Sequence, residues 1–237
     1  MFLGNRLGLS RVRPLAVLTV PESISGLDLW LDFTDQSTLN GGSISNNDPI
    51  SVVADKSPSG FDLAQGTGGS QPTWKSTGFG SEDLANALFD GGDWFDFDST
   101  YIMPATATAF YVYKRTGAYA IMMAGGTTAY GAQEVSPKIY TRNSAGGFGT
   151  DGLGGEYNTN DKMVTTLMLG ASSKVWVDQV DQGGAAQGAG SSAYVDLGQR
   201  ATIRHTGEMC EIIVYDNDIG ATDRGTIETY LKAKYGI

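Results

Sequence analysis

Few residues of this chain are placed to do chemistry, and their types narrow what that chemistry could be. His205 is the only histidine, which removes most general-base schemes and every multi-histidine metal site. Beside a strand end it reads as a structural or solvent-facing group. Cys210 is the only cysteine, so no intramolecular disulfide can form, and on the apolar side of its strand the thiol is a small hydrophobe. Glu208 and Glu211 are three apart and face opposite ways on a strand. Asp96 and Asp98 share a strand face, about 6–7 Å apart from the rise per residue, near the roughly 5–5.5 Å of a retaining glycosidase pair. They follow a turn and lack a third partner, so a solvated acidic edge is expected there. No G-x-S-x-G elbow, phosphate-binding loop or paired C-x-x-C occurs. Asp216 with Asp218, and Asp90 with Asp93, could supply oxygen ligands to calcium, although such turns are common without metal. Four aromatics, Trp30, Tyr111, Tyr113 and Trp176, lie opposite the aliphatic residues of their strands. They are expected to be exposed, available to stack on a sugar or to pack against a loop or neighbouring subunit.

The elements that must position these residues read as strands. Leu27, Leu29, Leu31 and Phe33 alternate with Asp28, Trp30, Asp32 and Thr34. Ile50–Ala54 and Phe61–Gln65 are short strands, and residues 87–97 read as a hairpin turning at Asp90-Gly91-Gly92-Asp93. In Ala105–Lys114, Phe110 and Val112 take one face, Tyr111 and Tyr113 the other. Tyr119–Ala124 and Lys138–Arg142 are shorter strands. Val164–Leu169 and Lys174–Val180 form a second hairpin. The glycine-rich stretches 143–155 and 183–192 read as loops. In the last strand Met209, Glu211, Ile213 and Tyr215 face one way, while Cys210, Ile212 and Val214 make an apolar face toward a core. A helix follows, with Thr222 as its cap and Asp223 near the positive end of its dipole. Ile227, Tyr230 and Leu231 form its docking stripe, and Gly236 ends it.

Composition bounds the class. A chain of 237 residues with 41% hydrophobic and 18% charged residues can build a real core. Its 33 glycines, 11 tyrosines and 4 tryptophans suit many short strands joined by tight turns. The formal charge of −10 disfavours nucleic acid, and no stretch approaches the length of apolar helix that crosses a membrane. The short apolar run Leu15–Val20 leads to Pro21-Glu22 rather than a small-residue cleavage site, so no export signal is read. Together with the absence of disulfides, this points to folding in a reducing cytoplasm. Residues 1–23 differ from the rest: Arg6, Arg11 and Arg13 precede any acid, leaving −13 on the chain after them. That arm is either a flexible terminus or an assembly segment that orders on a partner.

Gly207, Glu211–Tyr215 and the run from Tyr230 to Gly236 match the ending of laminin-G-like, concanavalin-A-like jelly rolls of bacteriophage and bacterial surface proteins. Gly26–Asp32, Asp55-Lys56-Ser57 with Gly60, Gln71-Pro72-Thr73 and Ala87–Gly91 resemble that family's earlier landmarks in order. Lys174, Val177 and Asp178 match its central hairpin, with Gln179 where glycine is usual. The resemblance implies an all-β, antiparallel two-sheet jelly-roll sandwich over residues 24–237, with a short C-terminal helix and an N-terminal arm over 1–23. Glycosidases on that fold carry a triplet such as E-x-D-x-x-E on one strand, and none is present.

The resulting expectation is a non-enzymatic virion protein, a capsid decoration, head fibre or tail-surface subunit. It would be anchored to capsid or tail proteins through Arg6, Arg11 and Arg13, oligomeric (a trimer by analogy) and need no cofactor beyond a weak calcium site at Asp216 and Asp218. The alternative is a lectin-like module recognising host surface polysaccharide, with Trp30, Tyr111, Tyr113 and Trp176 as glycan or subunit contacts.

Overall fold

The two long strands Thr106–Arg115 and Thr206–Tyr215 carry apolar side chains on both faces, so each face must be covered by something. In the computed structural model they pair with each other at the centre of the larger sheet. The structure describes residues 21–97, 101–117, 119–124, 131–135, 138–142, 162–169, 172–186 and 193–237. Along them run β1 (Leu27–Asp32), β2 (Val52–Val53), β3 (Leu63–Ala64), β4 (Thr73–Phe79), β5 (Leu84–Asp90), β6 (Asp96–Phe97), β7 (Ile102–Met103), β8 (Thr106–Arg115), β9 (Tyr119–Ala124) and β10 (Gly131–Val135). There follow β11 (Lys138–Arg142), β12 (Lys162–Leu169), β13 (Ser172–Val177), β14 (Val180–Ala186), β15 (Ala193–Tyr194), β16 (Asp196–Leu197), β17 (Gln199–Arg200), β18 (Ile203–Arg204), β19 (Thr206–Tyr215) and α1 (Gly220–Tyr235).

The larger sheet has the order β14-β13-β12-β8-β19-β5-β4, with β1 also paired to β19. The pairings that join these strands are antiparallel. A second layer is made of β11-β10-β9-β16 and β2-β3-β6. These two pieces meet where Phe95 and Leu197 exchange backbone hydrogen bonds of 2.9 and 3.1 Å. Between the layers lies the main core, in which Leu29, Leu31, Phe33, Tyr111, Tyr113, Ile212 and Val214 meet Val53, Leu63, Phe95, Met122 and Leu197. The opposite face of the larger sheet presents Trp30, Phe110, Val112, Cys210, Ile213 and Tyr215, and α1 covers them with Ile227, Tyr230, Leu231 and Tyr235. Burying those four helix side chains stabilises the docked helix by about 1.5–3 kcal/mol each. The expected class, an antiparallel β-sandwich closed by one C-terminal helix, is what the chain forms.

Several local expectations change. The pairing of β19 with β8 slips between Met209 and Glu211. This bulge turns Met209 toward the main core with Ile212 and Val214, and puts Cys210 under the helix with Ile213 and Tyr215. A β-bulge shifts the two-residue alternation by one, so a face read from spacing alone is wrong on one side of it. The turn at 90–93 exists, with Gly92 N–H donating to Asp90 Oδ1 at 2.7 Å. It does not close a hairpin, because β5 pairs with β4 while β6 crosses to β3 in the other layer. The glycine-rich stretch after 183 is strand as far as Ala186, paired to β13; residues 187–192 and 143–155 lie outside the described residues. The helix starts at Gly220, two residues before Thr222, and Asp218 Oδ1 accepts the Gly220 N–H at 2.8 Å.

Two glycines answer to geometry. Gly207 has φ +141, and a Cβ there would lie 2.0 Å from the Lys114 carbonyl oxygen. Gly236 adopts the left-handed conformation and its N–H donates to Lys232 O, ending α1 where it was expected to end.

Candidate functional site

The four aromatics expected at the surface are inside. Trp30 is 4% exposed, Tyr111 1%, Tyr113 0% and Trp176 5%. Tyr111 and Tyr113 face the main core. Trp30 and Trp176 face the other way, but α1 lies over them: Arg224 Cζ sits 3.8 Å from the centroid of the Trp176 ring. The expectation of solvent-facing rings is therefore corrected, because a closing helix turns the outer side of this sheet into a second core.

The charged residues around Trp30 form the lock that holds the helix. Fully buried Glu211 accepts from Trp30 Nε1 at 2.7 Å, Tyr235 OH at 2.7 Å, Tyr230 OH at 3.3 Å and Lys234 Nζ at 2.8 Å. Lys234 Nζ also donates to Asp32 Oδ2 at 2.8 Å, and Lys56 pairs with Asp35 at 2.9 Å and Asp32 at 3.4 Å. Burial pushes the Glu211 carboxyl up in spite of Lys234. Burial also works to raise Asp32, but the Lys234 ammonium outweighs it and holds Asp32 below the usual range. For Lys234 the two carboxylates outweigh burial and keep the ammonium charged. Every polar atom of Glu211 is spent on the fold, so this cluster positions α1.

The remaining sequence candidates are scattered. Arg6, Arg11, Arg13 and Asp98 lie outside the described residues. Asp216 and Asp218 sit in the turn before α1, where Asp216 N–H donates to Gly26 O at 2.9 Å. Among the described residues no group of three or more His, Cys, Asp or Glu converges as a metal site would. Cys210 is buried and burial pushes its thiol up. His205 is 0% exposed, edge-on to Phe89 and Tyr113 with ring centroids 5.1 and 6.4 Å away. Its ring nitrogens have no side-chain hydrogen-bond partner among the described residues, and burial lowers its pKa to about 3 with only partial offset from the Glu208 backbone.

What the fold assembles is a different cluster. Phe95 and Leu197 are fully buried, so their strand neighbours Trp94, Asp96 and Asp196 turn to the outer face of the second layer. The Trp94 backbone is fixed by Ser70 O (3.1 Å) and by the Gln65 side chain, whose Nε2 donates to Trp94 O at 2.9 Å. Across the Phe95–Leu197 bridge Asp96 stands opposite Asp196, and their carboxyls interact. Burial, first, and for Asp96 the neighbouring carboxylate raise both above the ordinary range, so the pair holds a proton at higher pH than either would alone. Gln199 Nε2 donates to Asp196 Oδ2 at 2.9 Å. Across the β17–β18 hairpin Gln199 pairs with Arg204, whose guanidinium lies 5.6 Å from the Trp94 ring centroid. Asp93, in the turn leading into Trp94, is raised to about 6 by burial and by Asp90. Trp94, Asp196, Gln199 and Arg204 are half-buried and Asp96 is exposed.

Chemically this is a ring with part of its surface open, bordered by hydroxyl-reading carboxyl, amide and guanidinium groups. Sequence reasoning missed the cluster because Trp94 and Asp196 are a hundred positions apart. The only local sign was Asp96, assigned to a pair with Asp98.

No protein-family pattern and no curated protein sequence matches the chain. Solved structures do. An arabinofuranosidase complexed with arabinofuranosyl-α-1,2-xylobiose aligns with TM-score 0.61 and 11% identity over 89% of this chain and 59% of its own. Domain 4 of an extracellular arabinanase from Geobacillus stearothermophilus, in complex with arabinotriose, aligns with TM-score 0.54 and 10% identity over 82% of this chain and 94% of its own. The Trypanosoma rangeli sialidase in complex with the inhibitor DANA gives 0.53 and 12% over 88% of this chain but 34% of its own. The chain thus spans less than two thirds of the arabinofuranosidase and about one third of the sialidase. The non-enzymatic expectation is corrected by this finding: the structures the chain resembles are glycoside hydrolases or a domain of one. None of the three is a virion protein. At these identities the likeness establishes the fold, an antiparallel β-sandwich of the kind these carbohydrate-active proteins contain.

Proposed function

We propose that the chain is a carbohydrate-binding β-sandwich whose sugar contacts centre on Trp94. The observation that carries this reading is the half-open Trp94 ring bordered by Asp96, Asp196, Gln199 and Arg204 on an outer sheet face. An indole face buries the apolar side of a sugar ring while the bordering groups take its hydroxyls. The arabinose-containing ligands of two structural neighbours suggest the first probes. Titration calorimetry with arabinotriose and xylobiose, and affinity electrophoresis in arabinan and xylan, test it. Trp94→Ala is expected to weaken binding about tenfold or more, the equivalent of about 1.4 kcal/mol, while Val180→Ser on the far sheet edge leaves it intact. Binding unchanged in Trp94→Ala would overturn the site. The same samples are assayed for release of reducing sugar; turnover abolished by Asp96→Asn would make the site hydrolytic.

Placement on a virus particle, with residues 1–23 as an anchoring arm to capsid or tail proteins, is a separate proposal. It rests on the resemblance of the chain's motifs to jelly rolls of bacteriophage and bacterial surface proteins and on the basic composition of that arm, and the comparisons do not support it.

A further inference from the structure

The Trp94 patch is crowded with acid. Asp90 and Asp93 occupy the turn that leads into Trp94, with the Asp90 N–H donating to Asp93 Oδ2 at 2.8 Å. Asp96 and Asp196 stand opposite each other across the Phe95–Leu197 bridge on the open face beside the ring. Among the described side chains Arg204 is the cation that faces them, and it is already engaged: it lies against Trp94, acts on the Asp196 carboxylate and donates through Nη1 to Ala201 O at 2.6 Å. Like charges directly opposite on neighbouring strands are destabilising unless a proton or a ligand relieves them. Two adjacent carboxyls with the Gln199 amide and the Arg204 guanidinium offer acceptors and donors side by side. That is the complement of neighbouring sugar hydroxyls, each of which both donates and accepts.

We infer that the site selects uncharged, hydroxyl-rich glycans and rejects chains carrying uronate or sialate groups. The inference rests on the Trp94 reading above and adds the chemical class of its ligand. A ligand carboxylate brought to about 6 Å from the two carboxylates meets repulsion worth on the order of tenfold in affinity, even in a largely aqueous dielectric, and Arg204, already engaged with Trp94 and Ala201, offsets only part of it. The repulsion is between partly exposed groups, so salt screens it. Binding of neutral chains does not depend on it.

The test is affinity electrophoresis of the full chain at pH 7 through gels containing arabinan, xylan, polygalacturonate or polysialic acid, each at low and at 0.5 M salt, roughly where the screening length falls to a few ångströms. Retardation by arabinan or xylan at least about tenfold stronger than by either acidic polymer is expected at low salt. High salt should narrow that ratio, and so should Asp96→Asn/Asp196→Asn. Asparagine mimics the protonated carboxyl at both positions, so the double variant should fold, and a thermal melt checks this. Should it fail to fold, the salt series on the unaltered chain decides. Equal or stronger retardation by an acidic polymer overturns the inference and, where Trp94→Ala abolishes it, leaves the Trp94 site standing. A ratio unmoved by both salt and the double variant also overturns it. No retardation in any gel, or retardation indifferent to Trp94→Ala, removes the site itself.

Discussion

Replacing His205 by leucine should make the protein less sensitive to acid, and the size of the effect follows from its surroundings. The imidazole is fully buried against Phe89 and Tyr113, its ring nitrogens lack side-chain partners, and its pKa falls from 6.5 to about 3. The folded state therefore binds fewer protons than the unfolded state between those values, and stability rises with pH. Its contribution is complete above pH 6.5 and is lost as pH falls toward about 3. At about 1.4 kcal/mol per pH unit, acidification to pH 4.5 costs the wild type on the order of 2–3 kcal/mol through this residue. Other groups titrate nearby. Asp28, Asp93, Asp96 and Asp196 are raised, so their contribution has the opposite sign and is present at low pH. Asp32 and Asp35 are lowered, and what they contribute is lost as pH falls below about 4. The difference between wild type and His205→Leu removes these common terms. Urea unfolding at pH 7.5, 6.0, 5.0 and 4.5 should show the variant at least as stable at pH 7.5, since leucine replaces a polar ring without full hydrogen bonds. Its advantage should grow by about 2–3 kcal/mol at pH 4.5, a shift in Tm of roughly 4–12 °C for a chain of this size. Parallel stability curves would refute the argument and mean that the imidazole is hydrogen-bonded or hydrated.

Two further outcomes follow from the structure. Lys234→Met leaves Glu211 and Asp32 without their ammonium partner in the helix lock, and should cost about 3–5 kcal/mol in urea unfolding; a loss under about 1 kcal/mol would mean that the two carboxyls simply take up protons. Size-exclusion chromatography with light scattering, on the full chain and on a chain lacking residues 1–23, tests the arm. An oligomer that depends on those residues supports assembly through them, and the same mass per chain in both removes that proposal.

Elements made of local repetition were legible in advance. Tyr119–Ala124 and Lys138–Arg142 are strands with the expected bounds, and β8 splits Phe110 and Val112 from Tyr111 and Tyr113 as its alternation requires. The stripe Ile227, Tyr230, Leu231 is the buried face of α1, because spacing on a helix is fixed by 3.6 residues per turn. Two things escaped that logic. The bulge after Met209 depends on how β19 pairs with β8 and leaves no trace in the spacing of β19 itself. Exposure of Trp30 and Trp176 depends on where the helix lands, and alternation says only which residues share a face.

The sequence by itself thus determined the strands and the one closing helix, since apolar periodicity and turn residues act over a few positions, and the resemblance of its motifs implied the two-sheet sandwich. The tertiary structure decided where polar chemistry gathers. Trp94 and Asp96 meet Asp196, Gln199 and Arg204 only because Phe95 pairs with Leu197 across the second layer. Such a pairing is chosen by burial of both side chains in a core the whole chain builds, and no stretch of residues encodes it alone.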